Sequence, residues 1–112
     1  MTQLNQLLSI AQTLGLTQEL CPNDPARPLW IKDFINGVKF EVEFNANKWR
    51  LIIAYGDKAN AEVIRDEFSE KASPRKSAAW FYSDTSEEIL EIAERVKQFI
   101  LDEGLSNEGR RV

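Results

Sequence analysis

The chain has 112 residues, 43% hydrophobic and 29% charged, with three Trp, two Tyr and six Phe, enough for one globular domain with a real core and too little for a second. Eighteen acidic against fourteen basic side chains leave a net charge of −4, which works against nonspecific attraction to a phosphate backbone. With no histidine and a single cysteine, Cys21, an internal disulfide, a Cys/His zinc site and any Ser–His or Cys–His mechanism are excluded.

The first eighteen residues carry no charged side chain and so lack the basic n-region of a signal peptide, and the apolar runs are too short to span a bilayer. The expectation is a cytoplasmic protein with no membrane contact. Leu4, Leu7, Leu8, Ala11 and Leu14 recur at helical spacing, with Thr2 as N-cap and Gly15 just past the end, and predict a first helix. Its opposite face (Gln3, Asn5, Gln6, Ser9, Gln12, Thr13) holds no charge, which is unusual for a helix exterior and typical of the centre of a contact surface. Residues 21–28 read CPNDPARP, and three prolines predict a stiff loop.

Asn36-Gly37 is a strong short hairpin signal between two strand-like runs. Alternation across 29–55 sets the register: with a second turn at Ala46-Asn47, Phe44 faces Trp49, Val42 faces Leu51, Phe40 faces Ile53 and Val38 faces Tyr55. Glu43 then faces Arg50 on the other side of the sheet, and Lys32 faces Glu41, whereas a slip of one residue would ruin both faces together. Ile31 and Ile35 share the inner face. Asp33 is the anomaly there, pointing inward opposite Phe40, while Trp30 and Phe34 point outward beside Lys32.

Ala59, Val63, Ile64 and Phe68 give a short second helix with Asp57 or Asn60 as N-cap and Glu67–Lys71 as an i,i+4 pair. Ala78–Ser83 reads as a fourth strand. Thr85 with Glu88 forms a capping box that opens the strongest helix of the chain, with Ile89, Ile92, Ala93, Val96, Phe99 and Ile100 in one stripe and Gly104 at its end. The fold class expected is α+β, a two-layer sandwich in the order α-β-β-β-α-β-α, with the antiparallel meander 29–55 carrying the 86–103 helix on its apolar face. Residues 1–104 are expected to form one domain and 105–112 a polar tail.

Three sets of side chains are candidates for chemistry or binding. Asp33, Glu41 and Glu43 could hold Mg²⁺ or run a carboxylate-only hydrolysis if they converged, but the pleat separates Asp33 from the two glutamates, and Lys32 and Arg50 stand beside them. No catalytic or metal residue and no cofactor is therefore assigned. Cys21 has no neighbouring cation to lower its pKa, and no phosphate-binding glycine motif exists. Lys71, Arg75, Lys76 and Trp80, within the basic and aromatic segment 71–82, suggest an accessory nucleic-acid contact, against which stand Glu67, Glu70, Asp84, Glu87 and Glu88 on both flanks. The third set is Trp30, Phe34, Arg50 and Ile52 on the outer sheet face, a residue mix suited to anchoring a protein partner.

The element order is similar in architecture to the type III secretion chaperones and to YjbR-like domains. The secretion chaperones usually carry two strands before the last helix where this sequence offers one, and no motif of either family falls on particular residues; architecture of this kind assigns no function. The functional expectation is a non-enzymatic protein-interaction module, such as an adaptor, inhibitor or chaperone-like binder, whose partner is another protein or a second copy of itself. Nucleic acid is the disfavoured alternative.

Overall fold

The computed structural model describes residues 2–16, 20–21, 29–73 and 78–106. Helix α1 spans Gln3–Leu14 and is capped as expected: the Thr2 hydroxyl accepts from the Asn5 N–H, and Gly15 takes the left-handed conformation at φ 74°. Gly15 N–H donates to the Gln12 carbonyl and Leu16 N–H to that of Ala11, satisfying carbonyls the last turn would leave open. The buried stripe is Leu7, Ile10, Ala11 and Leu14. Leu4 and Leu8, expected in it, are exposed, because they lie on one flank of the arc that positions 7, 10, 11 and 14 define at 100° per residue.

The sheet runs β1 (Leu20–Cys21), β2 (Leu29–Ile35), β3 (Val38–Asn45), β4 (Lys48–Ile53) and β5 (Ala79–Ser83), in that spatial order and antiparallel throughout. The two-residue β1 is an addition to the expected order; it places Cys21, read as loop, opposite Trp30. The rest of the proline-rich stretch, 22–28, lies outside the described residues.

The expected register of the meander is observed in Phe44–Trp49, Val42–Leu51, Phe40–Ile53, Glu43–Arg50 and Lys32–Glu41. Both turns have two consecutive residues at positive φ, Asn36-Gly37 and Ala46-Asn47, the conformation that matches the twist of a two-residue hairpin. The expected Val38–Tyr55 pair does not form. Strand β4 ends at Ile53, Ala54 turns to φ 62° while its N–H donates to the Lys39 carbonyl, and the chain leaves the sheet before Tyr55. Tyr55 is exposed, with the Lys39 ammonium 5.4 Å from its ring centroid.

Helix α2 (Lys58–Glu67) is capped by Asp57 and buries Asn60, Ala61 and Ile64. It stops at Glu67, so Lys71 lies beyond it and the expected i,i+4 pair with Glu67 falls off the helix; Ala59, expected on the inner stripe, is exposed. Helix α3 (Ser86–Glu103) has the expected caps, Thr85 and Gly104, and buries Ile89, Ile92, Ala93, Val96 and Ile100. Leu105, read as the first tail residue, is buried, and its N–H closes back on the Ile100 carbonyl.

Helix α3 packs against β4, β5 and α1, while α1 covers β2 and β3 and α2 lies on β5. Residues of all three helices and of one sheet face, among them Leu7, Ile64, Val96, Phe40, Leu51 and Phe81, form a single buried cluster. This is the expected two-layer α+β architecture. The sheet therefore presents its other face away from the helices.

Candidate functional site

Two side-chain rows cross the outer sheet face, fixed by strand pairing. Trp30, Glu43, Arg50 and Tyr82 stand side by side on β2, β3, β4 and β5, and Lys32, Glu41, Ile52 and Trp80 form the next row. Phe34 opposite Lys39 begins a third.

Phe34 is 54% exposed and Tyr82 37%, while Trp30 and Trp80 are half-buried. The Trp80 and Tyr82 rings stack at 6.1 Å with planes 21° apart. Arg50 lies 5.8 Å from the Tyr82 centroid and Lys32 5.5 Å from that of Trp30, so each end of the face carries a cation over an aromatic ring. Ile52, expected to be an exposed contact residue, is only 5% exposed and stands apart from the helix-side core. Its neighbours in the pairing are Glu41 and Trp80, and it serves as the floor of the patch.

The charges here are partly desolvated. Glu43 is buried at 9% exposure and Arg50 half-buried, with Nη1 3.5 Å from Glu43 Oε1 and Nε lacking any hydrogen-bond partner. Burial pushes the Glu41 carboxyl above its ordinary value of 4.5; Lys39 and Lys32 oppose that shift and Glu43 adds to it.

The remaining candidates scatter. Asp33 points inward opposite Phe40, where its Oδ1 accepts from the Phe34 N–H at 2.7 Å, so it lies on the opposite sheet face from Glu41 and Glu43 and the three do not converge. Among the described residues no group of three or more His, Cys, Asp or Glu could hold a metal. Lys71 lines a cavity of about 110 Å³ with Glu67, Glu70 and Arg95. Arg75 and Lys76 lie outside the described residues.

A wider cleft, about 380 Å³, opens where the first turns of α1 and α3 meet the Phe44–Trp49 end of the sheet; its charged residues, Asp84 and Glu87, are both acidic. Trp80 and Tyr82, absent from the expected protein-binding set, belong to the outer face together with Trp30, Phe34 and Arg50. The signal in the sequence was the alternation of AWFYS: once Phe81 is core, its two neighbours must face outward.

No described helix is long and apolar enough to cross a membrane. Comparison of the chain with family models, with curated proteins and with solved structures finds no match in any of the three.

Proposed function

We propose that this chain is a non-enzymatic, cytoplasmic protein-interaction module that binds through its outer sheet face. One observation supports the reading: aromatic rings and Arg50 gather on the sheet face turned away from the helices, around the buried floor of Ile52. Aromatics and arginine are the residues enriched in binding hot spots, and a desolvated centre ringed by polar groups is how such spots are built.

A sheet face with stacked Trp80 and Tyr82 and nearby Arg50, Lys32 and Lys39 also has the outline of a single-stranded nucleic-acid platform. The centre of the face favours protein. Glu41 and Glu43 occupy the middle strand, where a phosphate backbone crossing the platform would meet two carboxylates.

The test is affinity capture from the native cell with the wild-type chain and with Tyr82→Asp and Phe34→Asp, paired with a gel shift on single-stranded RNA and DNA at two salt concentrations. A protein captured by the wild type and lost with both variants, at unchanged melting temperature, supports the reading. Nucleic-acid retardation that falls steeply with salt would replace it.

A further inference from the structure

The Trp30–Glu43–Arg50–Tyr82 row of the outer face is self-complementary about one axis, and from this we infer that the occupant of the face is a second copy of this chain. The inference rests on the reading of the outer face as a protein-binding surface and names its partner.

Consider a two-fold axis parallel to the strands and lying above the boundary between β3 and β4. It sets β3 of one copy over β4 of the other and β2 over β5. Residues at one level along the strands stay at that level, because the rotation preserves strand direction. Glu43 of one copy then meets Arg50 of the other, twice by symmetry, since the two are already paired at one level in the sheet. At the ends of that row Trp30 meets Tyr82, ring on ring. In the next row Lys32 meets Trp80, and Glu41 meets the edge of Ile52, with Lys32 and Lys39 of its own copy beside it.

An axis centred on either of the two middle strands does less well. With the axis directly over β3, Glu41 and Glu43 would face their own copies, and like charges placed directly opposite cost stability. With it directly over β4, Arg50 would face Arg50. The boundary axis instead sets Glu43 against Arg50 and Trp30 against Tyr82 along the first row, the isologous self-complementarity that a closed dimer demands. Arg50 suits the added contact, since its side chain keeps about a quarter of its surface exposed and its link to Glu43 within the chain is a single approach at 3.5 Å. A surface rich in bases alone would suit an acidic partner instead; Lys32, Lys39 and Arg50 against Glu41 and Glu43 come close to balance on a chain whose net charge is −4.

The area sets the strength. Four strands about 4.8 Å apart and about five residues long at roughly 3.3 Å each make a patch of about 300 Å² in projection on each copy, below the roughly 800 Å² per partner of a standard specific interface, so the expected association is weak and reversible. Aligned sheets cross at about 30°, so the central Glu43–Arg50 pairs keep register best.

The experiment is sedimentation equilibrium of the full chain over about 1–100 μM, with circular dichroism as the check on folding. The wild type is expected to shift reversibly from 12.8 kDa to twice that mass. Glu43→Arg and Arg50→Glu should each weaken self-association by about a hundredfold or more, as for charged partners at the centre of an interface. Mixing the two variants should restore a dimer, because the two basic side chains that the first carries at positions 43 and 50 then face the two acidic ones of the second.

If either charge reversal unfolds the chain, Tyr82→Asp, at an exposed position set against Trp30 of the other copy, replaces the pair and should give a folded monomer. A wild type that stays monomeric at about 100 μM overturns the inference while leaving a foreign partner captured through Tyr82 as the reading of the face. A wild-type dimer that survives the folded variants unchanged places the interface elsewhere and overturns the inference, while the outer face as a site for a foreign protein is decided by the capture experiment.

Discussion

The Asn36 side-chain amide donates to the Leu105 carbonyl at 2.8 Å, across 69 positions of sequence. The first hairpin turn is thereby tied to the residue that follows the last helix. Asn36 has two separable roles, since its φ of 54° serves the turn while its Nδ2 holds the end of α3. Asn36→Gly keeps the first role and deletes the second. It should lower stability by about 1 kcal/mol, the net worth of one hydrogen bond, read from urea unfolding, with no change in strand content by circular dichroism.

Asn60 completes the same tie from the other side. Its Nδ2 reaches both Asp57 Oδ2, at 2.6 Å, and the Ser106 carbonyl, at 3.3 Å, and the residue is fully buried. Asn60→Ala should therefore cost more than Asn36→Gly, about 1–3 kcal/mol, because two acceptors lose their donor where Asn36→Gly deprives one. Equal losses in the two variants would contradict this ordering.

Ala46 and Ala54 both stand at positive φ, 53° and 62°, a region that costs an L-residue other than Asn or Gly about 1 kcal/mol or more. Ala46 is exposed at the tip of its turn, so Ala46→Gly relieves the strain with no packing lost. An increase of about 0.5–1 kcal/mol in unfolding free energy is expected. Ala54 is fully buried, and Ala54→Gly would trade the same relief against a lost core methyl; the gain at position 46 should exceed that at 54.

The hairpins were legible because they depend on neighbours in sequence: Asn36-Gly37 and strict alternation fix which residues of β2, β3 and β4 share a face. The departure at Tyr55 was not, since nothing in the residues Ala54-Tyr55 announces a left-handed alanine; the strain there is held by Lys39 on another strand. Helix α1 was legible in its caps and misjudged in its stripe, where Ile10 and not Leu4 or Leu8 faces the sheet. The outer face was half legible. Trp30, Phe34 and Arg50 could be placed from the meander alone, but Trp80 and Tyr82 join them only through the β4–β5 pairing, and the segment containing α2 intervenes between those strands. Local pattern carries no information about that pairing.

Glu41 gives the surface a pH dependence of known sign. Burial raises its pKa in the folded chain above the ordinary 4.5, with Lys39 and Lys32 opposing and Glu43 reinforcing. Between the ordinary and the raised value the folded state binds more protons than the unfolded one, so this group's contribution to stability falls as pH rises through that window. Glu41→Gln removes the titration. It should raise the melting temperature at pH 7 relative to the wild type, and the advantage should disappear below about pH 4, where both carry a neutral side chain. A constant difference at all pH values would assign the effect to packing.

The start of α3 is closed by a relay rather than by the reciprocal box its sequence suggests. Thr85 Oγ1 accepts from the Glu88 N–H at 3.2 Å, as expected, but the Glu88 carboxylate takes the Ser83 hydroxyl at 2.5 Å, and the Thr85 N–H donates to Ser83 Oγ at 3.1 Å. Ser83 thus stands between the two halves of the box and couples the last residue of β5 to the first turn of the longest helix. Ser83 is buried and Glu88 exposed, so the two variants differ in what they leave behind. Ser83→Ala strands the Thr85 N–H without its acceptor and frees Glu88, and should cost about 1–2 kcal/mol, the range for a lost N-cap. Glu88→Gln keeps a side chain able to accept from the Ser83 hydroxyl and loses only the charge near the helix N-terminus, worth about 0.3–1 kcal/mol. A double-mutant cycle by denaturant unfolding should return a coupling energy between the two positions of at least about 0.5 kcal/mol; additive losses would mean that Ser83 and Glu88 act on the helix separately.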